Sequence, residues 1–254
     1  MLTPDDLLAH YDTARLWPAG SRPAADVPTA YQAQLALRRL RQARGEVPRG
    51  FKIGFTNRGI WPRYNVFAPI WGSVWDTTVV DCESEGDLSL AGLCQPRIEP
   101  ETVFGLRATP VPDASLQDLW EAIAWVAPGF EIVQAHCADW KFTIPDTVAD
   151  GGLHGRLLVG RRIPVRDLSD DAPTLDALLA GSSVALLRDG DTVDQGRGAN
   201  VLDSPLRALH HFLQELRACP GAPDLLPGDV VTTGTWTDAW PVAPGQRWAA
   251  HFSA

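Results

Sequence analysis

Arg97-Ile98-Glu99-Pro100-Glu101-Thr102-Val103-Phe104 is the stretch of this 254-residue chain on which the reading of its fold turns. Its alternation predicts a strand over residues 96–106, and in a strand positions i and i+2 share a face. Glu99 and Glu101 therefore stand side by side. Pro100 between them has no N–H to offer a ladder, which points to an edge or an irregular strand. Two like charges so placed repel unless the face is open to water or something positive sits between them. Glu131 adds a third carboxylate. In Pro128-Gly129-Phe130-Glu131-Ile132-Val133 it lies among apolar residues, where a charge needs a partner or a metal. Three carboxylates with no His or Cys beside them suit a hard cation, Mg²⁺ or Mn²⁺, with positions left open for water or substrate.

Outward from this stretch the chain reads as strands more often than helices. Residues 51–56 and 74–80 alternate, as do the short segments 130–134 and 157–159. Residues 184–195 form a hairpin about Asp189-Gly190, and 229–233 and 247–252 are closing strands. Helices are expected over 115–126 and from Ser204-Pro205 to about Cys219. Before residue 50 the texture is helical. Thr3-Pro4-Asp5-Asp6 is an N-cap with Pro at N1, and 29–44 is a second helix ended by Pro48 and Gly50. Strands outnumber helices after residue 50 without regular βαβ alternation, which predicts an α+β fold on a mixed sheet or barrel. The organisation expected is a helical N-terminal part over 1–50 and a mixed β core over 51–254, together one compact unit. Between the first two strands, residues 57–72 form a loop rich in Pro, Gly and aromatics, with Trp61, Tyr64, Phe67 and Trp71. A loop that long inside a compact domain is often a lid or binding loop.

Composition narrows the function. The formal net charge of −9 argues against nucleic acid. No stretch approaches the length of a membrane span, and the first residues lack the basic region of a signal peptide. Cys82, Cys94, Cys137 and Cys219 form no CxxC pair, so a thiolate metal site is not expected, and reduced thiols in the cytoplasm are. The 22 basic residues comprise 20 Arg and two Lys, Lys52 and Lys141. Both lysines fall in apolar or aromatic segments. Where Arg is the default cation, a retained Lys suggests chemistry that needs a removable proton, although each alone also reads as a surface amine. Asp76, at the start of a strand, is either a turn cap or a site carboxylate. Asp146 and Asp150 read first as turn caps. His154 lies in Gly151-Gly152-Leu153-His154-Gly155, where backbone can approach a ligand. His210-His211 reads as helix surface.

Taken together, Gly50-Phe51-Lys52-Ile53-Gly54-Phe55-Thr56, Gln95-Pro96-Arg97-Ile98-Glu99-Pro100-Glu101, Phe130-Glu131-Ile132-Val133, Ala138-Asp139-Trp140-Lys141 and Asp146-Thr147-Val148-Ala149-Asp150 resemble a known family. It is the 2-keto-4-pentenoate hydratase/4-oxalocrotonate decarboxylase family of the fumarylacetoacetate hydrolase superfamily. The resemblance runs from about Tyr31 onward. It implies a mixed β-barrel or β-roll core, a smaller helical N-terminal part and a homo-oligomer. It implies Mg²⁺ or Mn²⁺ on Glu99, Glu101 and Glu131, with Lys52, Asp76 and Lys141 as catalytic residues. Arg97, Trp61, Arg63 and His154 are the expected substrate-binding residues. The implied reaction is that of a metal-dependent lyase on a small 2-oxo acid or 2-hydroxydienoate, through a metal-stabilised enolate. Hydration to a 4-hydroxy-2-oxo acid is the first expectation; decarboxylation, C–C hydrolysis and tautomerisation are the alternatives. Two places depart from the family pattern: Gly151-Gly152-Leu153-His154 stands where an Asn-Ala-Ser-Ser-like run is usual, and the Trp61-Pro62-Arg63-Tyr64 loop is unlike the better-known hydratases.

Overall fold

A computed structural model of the chain describes residues 1–253; residue 254 and the side chain of Arg63 lie outside the described residues. Thr3 caps α1 (Pro4–Thr13) through a reciprocal box with Asp6, and Asp26 caps α2 (Val27–Ala43). β1 (Pro48–Gly54) follows, then a 3-10 turn and the one-turn helix α3 (Trp61–Tyr64) within the aromatic loop. Next come β2 (Ile70–Trp75), β3 (Val79–Asp81), β4 (Arg97–Leu106), α4 (Leu116–Ala122), β5 (Ile123–Val133), α5 (Ile144–Ala149) and β6 (His154–Val159). The chain continues through β7 (Ile163–Pro164), α6 (Val165–Leu168), α7 (Ala172–Gly181), β8 (Ser183–Arg188) and β9 (Asp191–Arg197). It ends with α8 (Pro205–Ala218), β10 (Val230–Thr235), β11 (Trp240–Pro241) and β12 (Trp248–Ser253).

The main sheet runs β2-β1-β10-β4-β5-β6-β3, with β11 on β4 and β7 on β5. It is mixed: β1 pairs parallel to β10 and β3 parallel to β6, and the other pairs are antiparallel. Val74, Val230, Val103, Ala127, Leu157 and Val159, from five of these strands, meet in one buried cluster, so the sheet curls round on itself. Glu101 shares a side of β4 with Val103, and Glu131 shares a side of β5 with Ala127. The inner face is therefore apolar at one end and charged at the other. A separate three-stranded sheet, β12-β8-β9, lies beside it. Leu7, Trp17, Tyr31, Leu35 and Leu37 of the N-terminal part join the same buried cluster as Phe51, Phe104, Phe212 and Val231. Among the described residues no helix is long and apolar enough to cross a membrane.

Three readings of the sequence differ from this architecture. The strand expected over 74–80 is two strands with a turn between them. Thr78 makes that turn, its hydroxyl taking the Trp75 N–H at 3.0 Å. The helix expected over 115–126 stops at Ala122, because Ile123 onward pairs with β4, and the short strand at 130–134 is the end of the eleven-residue β5. α5 and α7 were not anticipated. Each opens on a local signal, Asp146 accepting from Thr143 and Asp171 from Thr174.

Candidate active site

Five strands adjacent in the main sheet each contribute to one constellation. The register sets Glu99 of β4 opposite Glu131 of β5. Glu101, two residues on, faces Gly129, where a Cβ would meet Val103 Cγ2 at 2.6 Å. Lys52 of β1 pairs with Thr232 of β10. β10 then bends: Gly234 sits at φ +100°, against Thr56, and turns its N–H onto Glu101 Oε2 at 2.7 Å. The Thr232 hydroxyl donates to the same oxygen. Glu101 Oε1 is buried with no hydrogen-bond partner. Glu99, Glu101 and Glu131 each offer an oxygen such that all lie within 4.8 Å of one another.

Lys52 is buried and closes the cup, its Nζ 3.1 Å from Glu131 Oε2. Burial disfavours its charge, but Glu131, Glu99 and Glu101 outweigh burial and raise it above the ordinary lysine value. Burial also works against an ionised Glu131, yet Lys52 and the hydrogen bond from His154 hold this carboxyl below its usual range. Glu99 and Glu101 go the other way. Burial pushes Glu99 up to about 7, with Lys52 opposing and the Glu131 charge reinforcing. Burial and the Glu131 and Glu99 charges lift Glu101 well above the usual carboxylate value. So much unpaired acidity around an orphaned oxygen is the donor set of a hard divalent cation, and the residues present fit one.

His154 opens β6 and is buried. Its Nδ1 lies 2.8 Å from Glu131 Oε1 and its Nε2 2.8 Å from the Thr78 hydroxyl. Burial lowers its pKa, so the ring is neutral at pH 7. The ionised Glu131 needs a donor, which puts the proton on Nδ1 and makes Nε2 the acceptor of the Thr78 hydroxyl. His154 thus stands behind a candidate metal ligand and orients it.

The other residues singled out in the sequence are placed as follows. Asp76 is exposed and accepts the Val47 N–H at 2.9 Å, tying the turn after β2 to the start of β1, apart from the carboxylate cup. Lys141 is largely exposed, its Nζ 3.4 Å from Asp139 Oδ2, and is not brought into the cup. Trp61 is half-buried and donates its indole N–H to the Phe55 carbonyl at 2.7 Å. Arg97 lies two residues before Glu99, its guanidinium 4.3 Å from the Trp140 ring. The Arg63 side chain is outside the described residues. The stretch from Pro227 through Gly234 also resembles the family, but the sequence assigns no role to Thr232, Gly234 or Thr78, because nothing local marks a threonine as the partner of a distant carboxylate. Sequence reading also passed over His136, buried with its Nδ1 2.7 Å from Asp150 Oδ1.

The chain belongs to the fumarylacetoacetate hydrolase family: residues 88–253 match its C-terminal domain. Within it, the chain is 33% identical to the 2-hydroxyhexa-2,4-dienoate hydratase of Comamonas testosteroni, across 89% of this chain and 83% of that protein. It is 30% identical to a 4-oxalocrotonate decarboxylase from a Pseudomonas species, across 87% and 81%. Among solved structures, it superposes with a TM-score of 0.85 on 4-oxalocrotonate decarboxylase from Pseudomonas putida G7 complexed with magnesium and adipate. That pair is 25% identical, with 98% of this chain and 91% of the other covered.

Proposed function

We propose that this chain is a divalent-metal-dependent hydratase that converts a small 2-hydroxy-2,4-dienoate into a 4-hydroxy-2-oxo acid. The observation that carries the reading is the cup of half-buried Glu99 with buried Glu101 and Glu131, with an orphaned Glu101 oxygen and Lys52 at its edge. The hydratase named among its relatives supports the choice of reaction.

A cation held by the three carboxylates would supply a Lewis acid for negative charge growing on the substrate's carboxylate and 2-oxygen. Thr232 and the Gly234 N–H hold Glu101 in its rotamer, and His154, set by Thr78, holds Glu131. Lys52 carries a proton at Nζ beside the cup and is the group placed to pass it to the dienol carbon chain and recover it. Proton transfer from the 2-hydroxyl to C5 gives a 2-oxo-3-ene. Water then adds across C3 and C4, hydroxyl to C4 and hydrogen to C3, so the balance is one water per turnover. The buried walls around Lys52 keep other water from the proton. We place the enzyme in the cytoplasm as a homo-oligomer, with the helical N-terminal part and the β core as one unit.

Decarboxylation of a 4-oxalocrotonate-like acid is the second reading. It is favoured by Arg97, a cation close to the cup with no ion-paired carboxylate among the described residues. The test is incubation of the Mg²⁺- or Mn²⁺-supplemented protein with 2-hydroxypentadienoate, 4-oxalocrotonate, oxaloacetate and an acylpyruvate, with products read by NMR. A 4-hydroxy-2-oxo acid is expected from the dienoate. Loss of CO₂ from 4-oxalocrotonate with no hydration of the dienoate would overturn the assignment, as would full activity in EDTA.

A further inference from the structure

Four aromatic side chains form a continuous arch from the end of β1 to the start of β4. Phe55 packs edge-on against Tyr64, with centroids 5.2 Å apart, and against Phe142 at 6.5 Å. Tyr64 stacks on Phe142 at 5.9 Å, and Phe142 meets Trp140 at 6.0 Å. Arg97 covers the Trp140 face. All four rings are half-buried. The two ends of the arch are tied to the cup. Phe55 follows Gly54, where a Cβ would lie 3.5 Å from Lys52 Nζ. Arg97 shares its side of β4 with Glu99.

Both ends are also strained. Phe55 has φ +55° and Trp140 φ +58°, a region that bulky residues rarely occupy. Each is held there by an indole: Trp61 donates to the Phe55 carbonyl, and Trp140 donates to the Gln95 carbonyl at 3.0 Å. Gln95 in turn bonds the Ala135 and Cys137 carbonyls and the Asp139 N–H. Phe55 and Tyr64 rest on the main core and Trp140 and Phe142 on Val133, Ala135 and Leu153, yet each ring keeps part of its surface exposed. Three of the four rings come from the aromatic loop and from the segment Ala138 to Phe142, and the two strained positions, Phe55 and Trp140, are the ends of the arch.

We propose that this arch is the subsite for the distal part of the substrate, and that the part it takes is a flat, uncharged hydrocarbon tail. The chemistry is that of a conjugated dienoate lying against aromatic faces, its polar end towards the carboxylate cup. Arg97 is then a support for Trp140 and not a receptor for a second carboxylate. The inference rests on the hydratase reading and narrows it to monocarboxylate substrates.

Calorimetry on the Mn²⁺-loaded protein, with the inert 2-oxo acids pyruvate, 2-oxohexanoate and 2-oxoadipate, tests the subsite without turnover. Burial of each added methylene is worth about fourfold in affinity, so 2-oxohexanoate should bind up to about sixtyfold more tightly than pyruvate. It should also bind more tightly than 2-oxoadipate. In Phe142→Ala the ratio of 2-oxohexanoate to pyruvate affinity should fall about tenfold, and in Phe142→Leu by less. Trp61→Phe, which frees the Phe55 carbonyl, should lower the same ratio. Equal affinity for the short and long acids in the wild type, or an unchanged ratio in a folded Phe142→Ala, would overturn the subsite. Tighter binding of 2-oxoadipate, lost in Arg97→Gln, would overturn the uncharged tail and favour the decarboxylase reading. Failure of every 2-oxo acid to bind the metal-loaded wild type would overturn the hydratase reading itself, and the subsite with it.

Discussion

Replacing Glu99 by Gln should stabilise the metal-free protein at pH 8 while abolishing its response to Mn²⁺. Glu99 is raised from 4.5 to about 7, first by burial, with the Glu131 charge adding to it and Lys52 opposing. A carboxyl whose pKa is higher folded than unfolded favours the folded state below the unfolded value. That contribution is lost as pH rises from 4.5 through about 7. At 1.36 kcal/mol per pH unit the gap corresponds to about 3 kcal/mol at pH 8. Glu99 is partly open to solvent, which screens its charge, so about half of that, ~1.5 kcal/mol, is the working figure. For a chain of this size the gain is a rise in Tm of about 3–6 °C. The assay is calorimetric melting of EDTA-treated wild type and Glu99→Gln at pH 8 and pH 5, repeated with Mn²⁺. At pH 8 without metal the variant should melt higher, and at pH 5 the two should nearly coincide. Added Mn²⁺ should raise the wild type and leave the variant where it was, because a ligand bound by the folded state alone stabilises it. A variant that melts at or below the wild type at pH 8 without metal would refute the electrostatic reading of the cup.

Three further outcomes are expected. Lys52→Arg keeps the charge opposite Glu131 but replaces the amine by a guanidinium that holds its proton more tightly still, so kcat should fall about 10²–10⁴-fold, with Mn²⁺ binding retained by calorimetry. Near-wild-type turnover in that variant would remove Lys52 from the proton path. Lys141→Ala and Asp76→Asn alter exposed side chains outside the cup, and steady-state kcat/KM should stay within about twofold of wild type; a loss beyond tenfold in either would restore it to the site. Gly234→Ala places a methyl on Thr56 at a positive φ. It should lower Tm and weaken Mn²⁺ binding together, since the same backbone N–H holds Glu101.

Sequence reading reached the carboxylates and the buried lysine but not what holds them. Glu99 and Glu101 were legible because a strand's period of two is written in consecutive residues. Glu131 was legible because a charge among apolar neighbours is anomalous wherever it occurs. The scarcity of Lys beside abundant Arg singled out Lys52, and singled out Lys141 with equal force, although the two have opposite fates. Composition cannot distinguish a lysine on a central strand from one on an exposed turn. Asp76 shows the same limit: strand starts and site carboxylates look alike until the turn at Thr78 assigns its partner.

The local part of this protein is thus determined by its own sequence: helix starts at Thr3, Asp26 and Ser204, the hairpin at Asp189-Gly190, and the pairing of two carboxylates on one strand face. Tertiary structure alone decided that Glu131 stands opposite Glu99, that the parallel pairing of β1 with β10 brings Lys52 to within 3.1 Å of Glu131, and that Thr78, 76 residues away in sequence, is the second partner of His154. The physical reason is one of range. Capping, turn chemistry and alternation are settled by residues a few positions apart. Register between strands is settled by which faces of a curled sheet bury together, and that depends on the whole chain at once.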